Sequence, residues 1–212
     1  VPLSLNMNIR PNTPKILALD FDGVLCDGIM EYFQTTKRTY CQIWNVDNPT
    51  RIDCLAPSFY RLRPVIETGW EMPILLRALI LGILEEEILQ DWSTVAQQIV
   101  ESEELDKKEV GQRLDTVRDR WIESDLEGWL ELHRFYPGVG ERVRQVIDAA
   151  TQVYIVTTKE GRFVKRLLQQ EGIELPERSI IGKECKQPKQ QTLRQLIEVA
   201  NQASENLWFV ED

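Results

Sequence analysis

Two aspartates with a spacing of two residues, Asp20 and Asp22, follow an apolar run at residues 16–19 and precede Gly23. The run has the length and composition of a buried strand, in which residues two apart point the same way. Because strand carboxyl ends face the ligand crevice in open parallel sheets, we expect both carboxylates to reach one small site. Such close carboxylates repel each other unless a cation lies between them. The spacing therefore predicts a divalent metal site suited to phosphoryl chemistry, with a sharp backbone turn at Gly23.

The Asp-x-Asp-Gly pattern is also typical of a plain strand end followed by a turn, so other features must decide between a site and a turn. Hydroxyl side chains follow a second apolar run at 152–156, and acidic side chains follow a third at 207–210. These polar residues are Thr157, Thr158, Glu211 and Asp212. A turn at 182–189 supplies three lysines, Lys183, Lys186 and Lys189. Each lysine alone is typical of a solvated surface, and we expect one of the three to reach the site.

The elements that must position these residues follow from periodicity. After the first strand the pattern is helical for about a hundred residues, including a strongly apolar helix predicted over 66–82. From Phe135 onward, strands alternate with helices, which indicates right-handed crossovers and a parallel sheet. The sequence therefore predicts an α/β core, residues 14–28 and 136–212, with an all-helical domain, residues 29–135, inserted after the first strand.

Composition limits the partners that the chain can bind. The 212 residues carry a net charge of −9, which argues against nucleic acids and anionic membranes because those partners need clustered Lys and Arg. The longest apolar stretch, residues 74–84, is too short to span a bilayer. The first seven residues lack the basic start and the sustained apolar segment of a secretory signal. We therefore expect neither a membrane nor a nucleic-acid partner.

Cysteine and histidine usage limits the chemistry further. The four cysteines have neither CxxC spacing nor a dense disulfide pattern, which is typical of reduced cytosolic thiols and predicts a cytoplasmic protein. The single histidine, His133, gives little support to a zinc site or a Ser-His-Asp triad. We expect His133 on the surface of a helix.

The order of acid pair, hydroxyl, lysine and acid pair at successive strand ends resembles the haloacid dehalogenase-like superfamily. The segment Tyr136-Pro137-Gly138-Val139, followed by a helix and then by Ile155-Val156-Thr157-Thr158-Lys159, is similar to the phosphoglycolate phosphatase-like branch. The resemblance covers the core segments, about half of the chain, and the helical insertion matches that branch's C1 cap in position and character. It implies a three-layer, Rossmann-like parallel sheet with a helical cap.

The resemblance also implies roles for individual residues. Asp20 would be the nucleophile that forms an aspartyl phosphate, and Asp22 would be the general acid and then the general base. Mg²⁺ would be held by Asp20, the main-chain carbonyl of Asp22 and Asp212, with Glu211 as a further candidate ligand. The phosphate group would be bound by Thr157, Thr158, Gly23 and Lys189, with Lys183 as the alternative lysine.

The implied function is a Mg²⁺-dependent phosphatase of small phosphorylated metabolites, as a monomer or a homodimer. A phosphomutase similar to β-phosphoglucomutase shares every core motif and stays open as an alternative. The family's relatives continue with a further helix and strand, whereas this chain stops at Asp212. A truncated, catalytically silent interaction protein is therefore the alternative from a different class.

Overall fold

The computed structural model describes residues 14–47 and 49–212, which form two compact units. The α/β unit comprises the chain up to Asp27 together with Arg134–Asp212, and the helical unit comprises Gly28–His133. The secretory signal that we expect to be absent concerns residues 1–7, which lie outside the described residues. None of the helices within the described ranges is both long and apolar enough to cross a bilayer.

A parallel sheet of four strands forms the centre of the α/β unit, which confirms the predicted fold class. In chain order the strands of this unit are β1 (Ile16–Leu19), β2 (Cys26–Asp27), β3 (Arg134–Phe135), β4 (Gln152–Val156), β5 (Ile180–Ile181) and β6 (Leu207–Val210). The sheet order is β5-β4-β1-β6, and β2 and β3 form a separate antiparallel pair. The helices of the unit are α8 (Val139–Asp148), α9 (Gly161–Gln170) and α10 (Lys189–Val199).

Strand β1 lies between β4 and β6, so both of its edges are hydrogen-bonded. Its side chains are correspondingly apolar, and Ala18 is completely buried. In the register of the sheet, Leu19 pairs with Ile155 on one side and with Val210 on the other. The three strands therefore end nearly level, and the residues after them emerge at the same edge of the sheet.

Strand β6 is one of the two edge strands of the described sheet, and β5 is the other. Its side chains alternate between half-buried and exposed positions, and Trp208 and Val210 are 49% and 43% exposed. The alternation shows that one face of β6 packs on the unit while the other face is open in the described residues.

The described residues of the helical unit form seven α-helices packed around an apolar core of their own. They are α1 (Ile29–Ile43), α2 (Ala56–Leu62), α3 (Glu71–Ile80), α4 (Glu85–Gln90), α5 (Trp92–Ser102), α6 (Lys107–Ser124) and α7 (Leu126–Leu130). The helix predicted over 66–82 begins later than expected, at Glu71. The Glu71 carboxylate accepts hydrogen bonds from the backbone N–H groups of Glu67 and Thr68, at 2.8 and 2.6 Å, and so holds the preceding segment in a turn.

The prediction for His133 was wrong. Only 8% of this residue is exposed, and it follows α7 in a non-helical segment. Its ring lies 4.4 Å from the Trp129 ring, centroid to centroid, and its Nδ1 lies 3.1 Å from the Trp129 carbonyl oxygen. Packing against the Trp129 side chain therefore buries this polar residue.

Candidate active site

Asp20 is the first residue after β1, and its carboxylate is held from two sides. Its backbone N–H donates to the Val210 carbonyl at 2.9 Å, so the ladder with β6 continues one residue past the strand. The Oδ1 atom accepts from the Phe21 N–H at 2.7 Å, and the Oδ2 atom accepts from Lys189 Nζ at 2.5 Å. Asp20 is 7% exposed. The sheet therefore presents one buried, oriented carboxylate at its carboxyl edge.

The chain reverses direction tightly after Asp20. Gly23 N–H donates to the Cys26 carbonyl at 2.9 Å, and the N–H groups of Leu25 and Cys26 donate to the Phe21 carbonyl. Gly23 has a φ of +80°, in the left-handed region that favours glycine. A Cβ atom at this position would lie 2.8 Å from Asp212 Cβ and closer still to the Asp212 carboxylate. Gly23 is therefore needed both for the turn and to admit the Asp212 side chain.

Alanine substitutions at Gly23 and at Gly138 should separate the cost of the left-handed backbone from the cost of the clash with Asp212. We expect Gly23→Ala to lower the free energy of unfolding by about 1–3 kcal/mol and to impair any activity that depends on Asp212. Gly138→Ala is the matched control, because Gly138 has a φ of +79° but no atom within 4 Å of the added Cβ. Urea unfolding and steady-state kinetics of both variants provide the measurement. Equal effects of the two substitutions would contradict a specific contact between positions 23 and 212.

Among the three candidate lysines, Lys189 is the one that reaches Asp20. It is the first residue of α10, and its Nζ lies 2.5 Å from Asp20 Oδ2 and 2.6 Å from Glu211 Oε1. Burial lowers the pKa of Lys189, but the hydrogen bonds and charges of Asp20 and Glu211 outweigh that effect and raise it above its ordinary value. Lys189 is therefore a cation at neutral pH, and Glu211 is placed to hold the lysine.

Asp22 has a lysine partner that the sequence analysis missed. Lys159 Nζ lies 3.3 Å from Asp22 Oδ1, and the Lys159 side chain is only 10% exposed. The sequence does contain a signal for this pair, because Lys159 directly follows Thr157 and Thr158 at the carboxyl end of β4. A nearby cation favours the charged form of a carboxylate. The two aspartates thus each face a different lysine.

Thr157 occupies the end of β4 next to this pair. It is 6% exposed, its N–H donates to the Ile181 carbonyl at 3.0 Å, and its hydroxyl oxygen accepts from the Lys159 N–H at 3.2 Å. The hydroxyl proton is left for donation to another acceptor. Thr158 is exposed, and so are Lys183 and Lys186, which have no ion-pair partner in the described part of the chain.

Negative charge surrounds the residues beside the turn. Burial, together with the charge of Asp22, raises the pKa of the Cys26 thiol to about 12. Burial and the charges of Asp27 and Asp212 likewise raise the pKa of Tyr136 above its ordinary value. Cys26 therefore stays a neutral thiol at pH 7, and the oxygen nucleophiles at this edge are carboxylates.

The oxygen donors at this edge fit a hard divalent cation in their chemistry. Asp212 packs against Gly23, and Asp20 and the Asp22 carbonyl precede that glycine in the same turn. Mg²⁺ is usually bound through one or two carboxylates and keeps several water ligands, so this donor set matches its needs. In the arrangement of the described residues, no three His, Cys, Asp or Glu side chains form a metal-binding group, and lysines face Asp20 and Asp22 instead.

Comparisons with known proteins place this geometry in a family. A predicted phosphoglycolate phosphatase from Haemophilus somnus has 13% identity and a TM-score of 0.58, over 96% of this chain and 78% of that chain. A predicted phosphatase from Clostridium acetobutylicum has 14% identity and a TM-score of 0.50, over 93% and 75%. A haloacid dehalogenase-like family hydrolase from Streptococcus pneumoniae has 13% identity and a TM-score of 0.52, over 95% and 76%.

At these identities the solved structures establish a shared fold. The comparison with curated proteins produced no match. The family model that describes haloacid dehalogenase-like hydrolases matches residues 14–212, which include every candidate site residue. The chain therefore belongs to the haloacid dehalogenase-like hydrolase family.

Proposed function

We propose that the protein is a Mg²⁺-dependent phosphatase that hydrolyses small phosphorylated metabolites through an aspartyl-phosphate intermediate. The observation that carries this proposal is the position of Asp20, a buried carboxylate at the end of a central parallel strand with Lys189 at 2.5 Å. The names of the structural neighbours, two of which are predicted phosphatases, support the same reaction class.

Asp20 is the nucleophile in this proposal. A carboxylate attacks phosphorus only when the repulsion between anions is offset, and Lys189 supplies positive charge beside Asp20. The hydrogen bond from the Phe21 N–H to Oδ1 orients the carboxylate, which leaves Oδ2 on the lysine side. The Thr157 hydroxyl donates a hydrogen bond to a phosphate oxygen. Attack at phosphorus forms the aspartyl phosphate and releases the alkoxide of the substrate.

Asp22 transfers the protons of both steps. It protonates the departing alkoxide, then accepts a proton from the water that attacks the aspartyl phosphate. Lys159 Nζ, at 3.3 Å, places a positive charge beside Asp22. The first step uses Asp22 in its protonated form as the acid, and the second step uses its carboxylate as the base.

Asp20, the Asp22 main-chain carbonyl and Asp212 would hold Mg²⁺, with Glu211 available as a further ligand or through a water molecule. When bound, the ion would neutralise phosphate charge that the lysines leave uncompensated. The helical unit takes the role of the family's cap in this proposal.

Metal dependence tests this function. We expect hydrolysis of p-nitrophenyl phosphate that falls by about 100-fold or more after treatment with EDTA, because a catalytic metal contributes several kcal/mol, and that returns with Mg²⁺. Turnover unchanged by EDTA would contradict the metal-dependent reaction. Turnover only with a sugar phosphate and a bisphosphate activator would indicate the mutase instead. No turnover under any of these conditions would indicate a silent interaction protein.

A further inference from the structure

A cavity of about 290 Å³ lies beside the candidate phosphate-binding residues, within the α/β unit. Thr157 and Lys189 form part of its wall, and the loop between β5 and α10 forms much of the rest. This loop contributes Lys183 and Lys186, which play no part in the reaction proposed above. The cavity volume is close to that of the smaller ligand sites in proteins. The cavity can therefore accept a group the size of a carboxylate or a phosphate.

The charge of this loop differs from that of the protein as a whole. The chain carries a net charge of −9, whereas residues 182–189 contain three lysines and one acid, Glu184. The Glu184 carboxylate accepts from the Gly161 N–H at 3.1 Å at the start of α9, and it lines a different cavity. Lys189 is neutralised by Asp20 and Glu211. Two lysine charges at this cavity are thus left without a carboxylate partner in the described residues.

The loop is held in place by contacts on both sides. Lys183 N–H donates to the Lys159 carbonyl at 3.0 Å, and Gln187 Nε2 donates to the hydroxyl of the buried Thr192 at 2.9 Å. Lys186 has a φ of +52°, a left-handed conformation that lysine adopts at some cost. Asparagine or glycine would adopt this conformation at a lower cost. The two ammonium groups are therefore carried by an ordered backbone rather than by a free tail.

We propose that Lys183 and Lys186 form an anion subsite next to the phosphoryl site, so that the preferred substrates carry a second anionic group besides the phosphate that is hydrolysed. The proposal rests on the phosphatase function proposed above. Lysine is a compact point charge without the planar fork of arginine, so both a carboxylate and a second phosphate satisfy it. A small metabolite fits better than a nucleic acid, since the cavity is concave and the protein is acidic overall.

Matched substrate pairs measure the effect of the second anion. Glycerol 3-phosphate and 3-phosphoglycerate differ by one carboxylate, whereas fructose 6-phosphate and fructose 1,6-bisphosphate differ by one phosphate. We expect kcat/KM to favour the member with the second anionic group in at least one pair by about tenfold, the effect of a single well-placed charge pair. The pair that responds identifies the group as a carboxylate or a phosphate.

The variant that removes the subsite is Lys183→Gln combined with Lys186→Asn, because asparagine tolerates the left-handed backbone at position 186. We expect the preference for the substrate with the second anionic group to fall to about twofold or less in this variant. Lys108→Gln, which changes an exposed lysine of the helical unit, should leave the preference unchanged. If Lys183 and Lys186 acted on the transferred phosphoryl group instead, their replacement would lower kcat/KM equally for both members of a pair. Such an equal loss would overturn the subsite. So would a wild-type protein in which the two members of each pair have nearly the same kcat/KM.

Binding to the Asp20→Asn protein separates this proposal from the phosphatase proposal. Calorimetric titration of this variant with both members of each pair measures affinity without turnover. A tenfold affinity difference that disappears when Lys183 and Lys186 are replaced supports the subsite even if the protein hydrolyses nothing. Equal affinities alongside metal-dependent turnover overturn the subsite and leave the phosphatase function standing.

Discussion

Replacing Asp20 with asparagine should lower kcat/KM for p-nitrophenyl phosphate by about 10⁴-fold or more, the scale seen when a nucleophile is removed. The amide has nearly the same shape, and its oxygen can still accept the hydrogen bond from the Phe21 N–H. It cannot attack phosphorus, and it carries no charge for Lys189 to balance. The loss should therefore be chemical, with the fold retained. Steady-state kinetics and a thermal melt of the same preparation measure the two properties separately.

Asp119→Asn is the matched control for this substitution, because Asp119 is exposed on α6 and no hydrogen bond or ion pair connects it to the described residues. It should retain full activity. Acid-quenched protein analysed by mass spectrometry should contain a phosphoryl adduct on the peptide that includes Asp20, and the adduct should be missing from the asparagine variant. An Asp20→Asn protein with more than a tenth of the wild-type activity would contradict the role of Asp20 as nucleophile.

Replacing Glu31 with alanine should lower the free energy of unfolding by about 3 kcal/mol, at the lower end of the range for breaking a buried ion pair. Glu31 is 1% exposed, and its Oε1 accepts from Thr35 Oγ1, Arg118 Nε and Trp129 Nε1 at 2.6, 2.8 and 3.1 Å. These contacts join α1, α6 and α7. The Arg118 side chain is 23% exposed, so water partly compensates for the lost partner and the cost stays below the maximum.

The charge and the shape of Glu31 can be tested separately. Burial lowers the pKa of Arg118, but the charge and the hydrogen bond of Glu31 outweigh that effect and raise it. Arginine keeps its proton in proteins, so the guanidinium stays charged when Glu31 is replaced by a neutral residue. Glu31→Gln keeps the hydrogen-bond acceptor and should cost about half as much as Glu31→Ala. Glu123→Gln, at an exposed position of α6, should change stability by less than about 0.5 kcal/mol.

Urea unfolding followed by tryptophan fluorescence measures these differences, because Trp129 donates directly to Glu31. A common transition in fluorescence and circular dichroism would justify a two-state treatment. A Glu31→Ala protein as stable as the Glu123→Gln control would contradict the view that this buried carboxylate holds the three helices together.

Much of the α/β unit could be predicted from the sequence because its strands are short, apolar and followed by polar groups. The runs at 152–156 and 207–210 became β4 and β6 with the predicted bounds. Buried parallel strands read as continuous apolar segments, so little tertiary information is needed to find them. The helical unit was harder, since the helix predicted over 66–82 includes the turn that the Glu71 carboxylate caps, and the hydrogen bonds to Glu67 and Thr68 show that α3 begins only after it.

The sequence by itself determined that carboxylates, hydroxyls and lysines follow the strands of an α/β unit, because residue type and periodicity are local properties. Only the tertiary structure decided which lysine meets which acid. Three lysines lie within seven residues of one loop, and the start of α10 brings Lys189 alone to Asp20. The same folding brings Lys159 to Asp22 and buries His133 against Trp129. Such pairs depend on contacts between segments that are distant in the chain, or on side-chain packing. A local sequence pattern predicts neither of these.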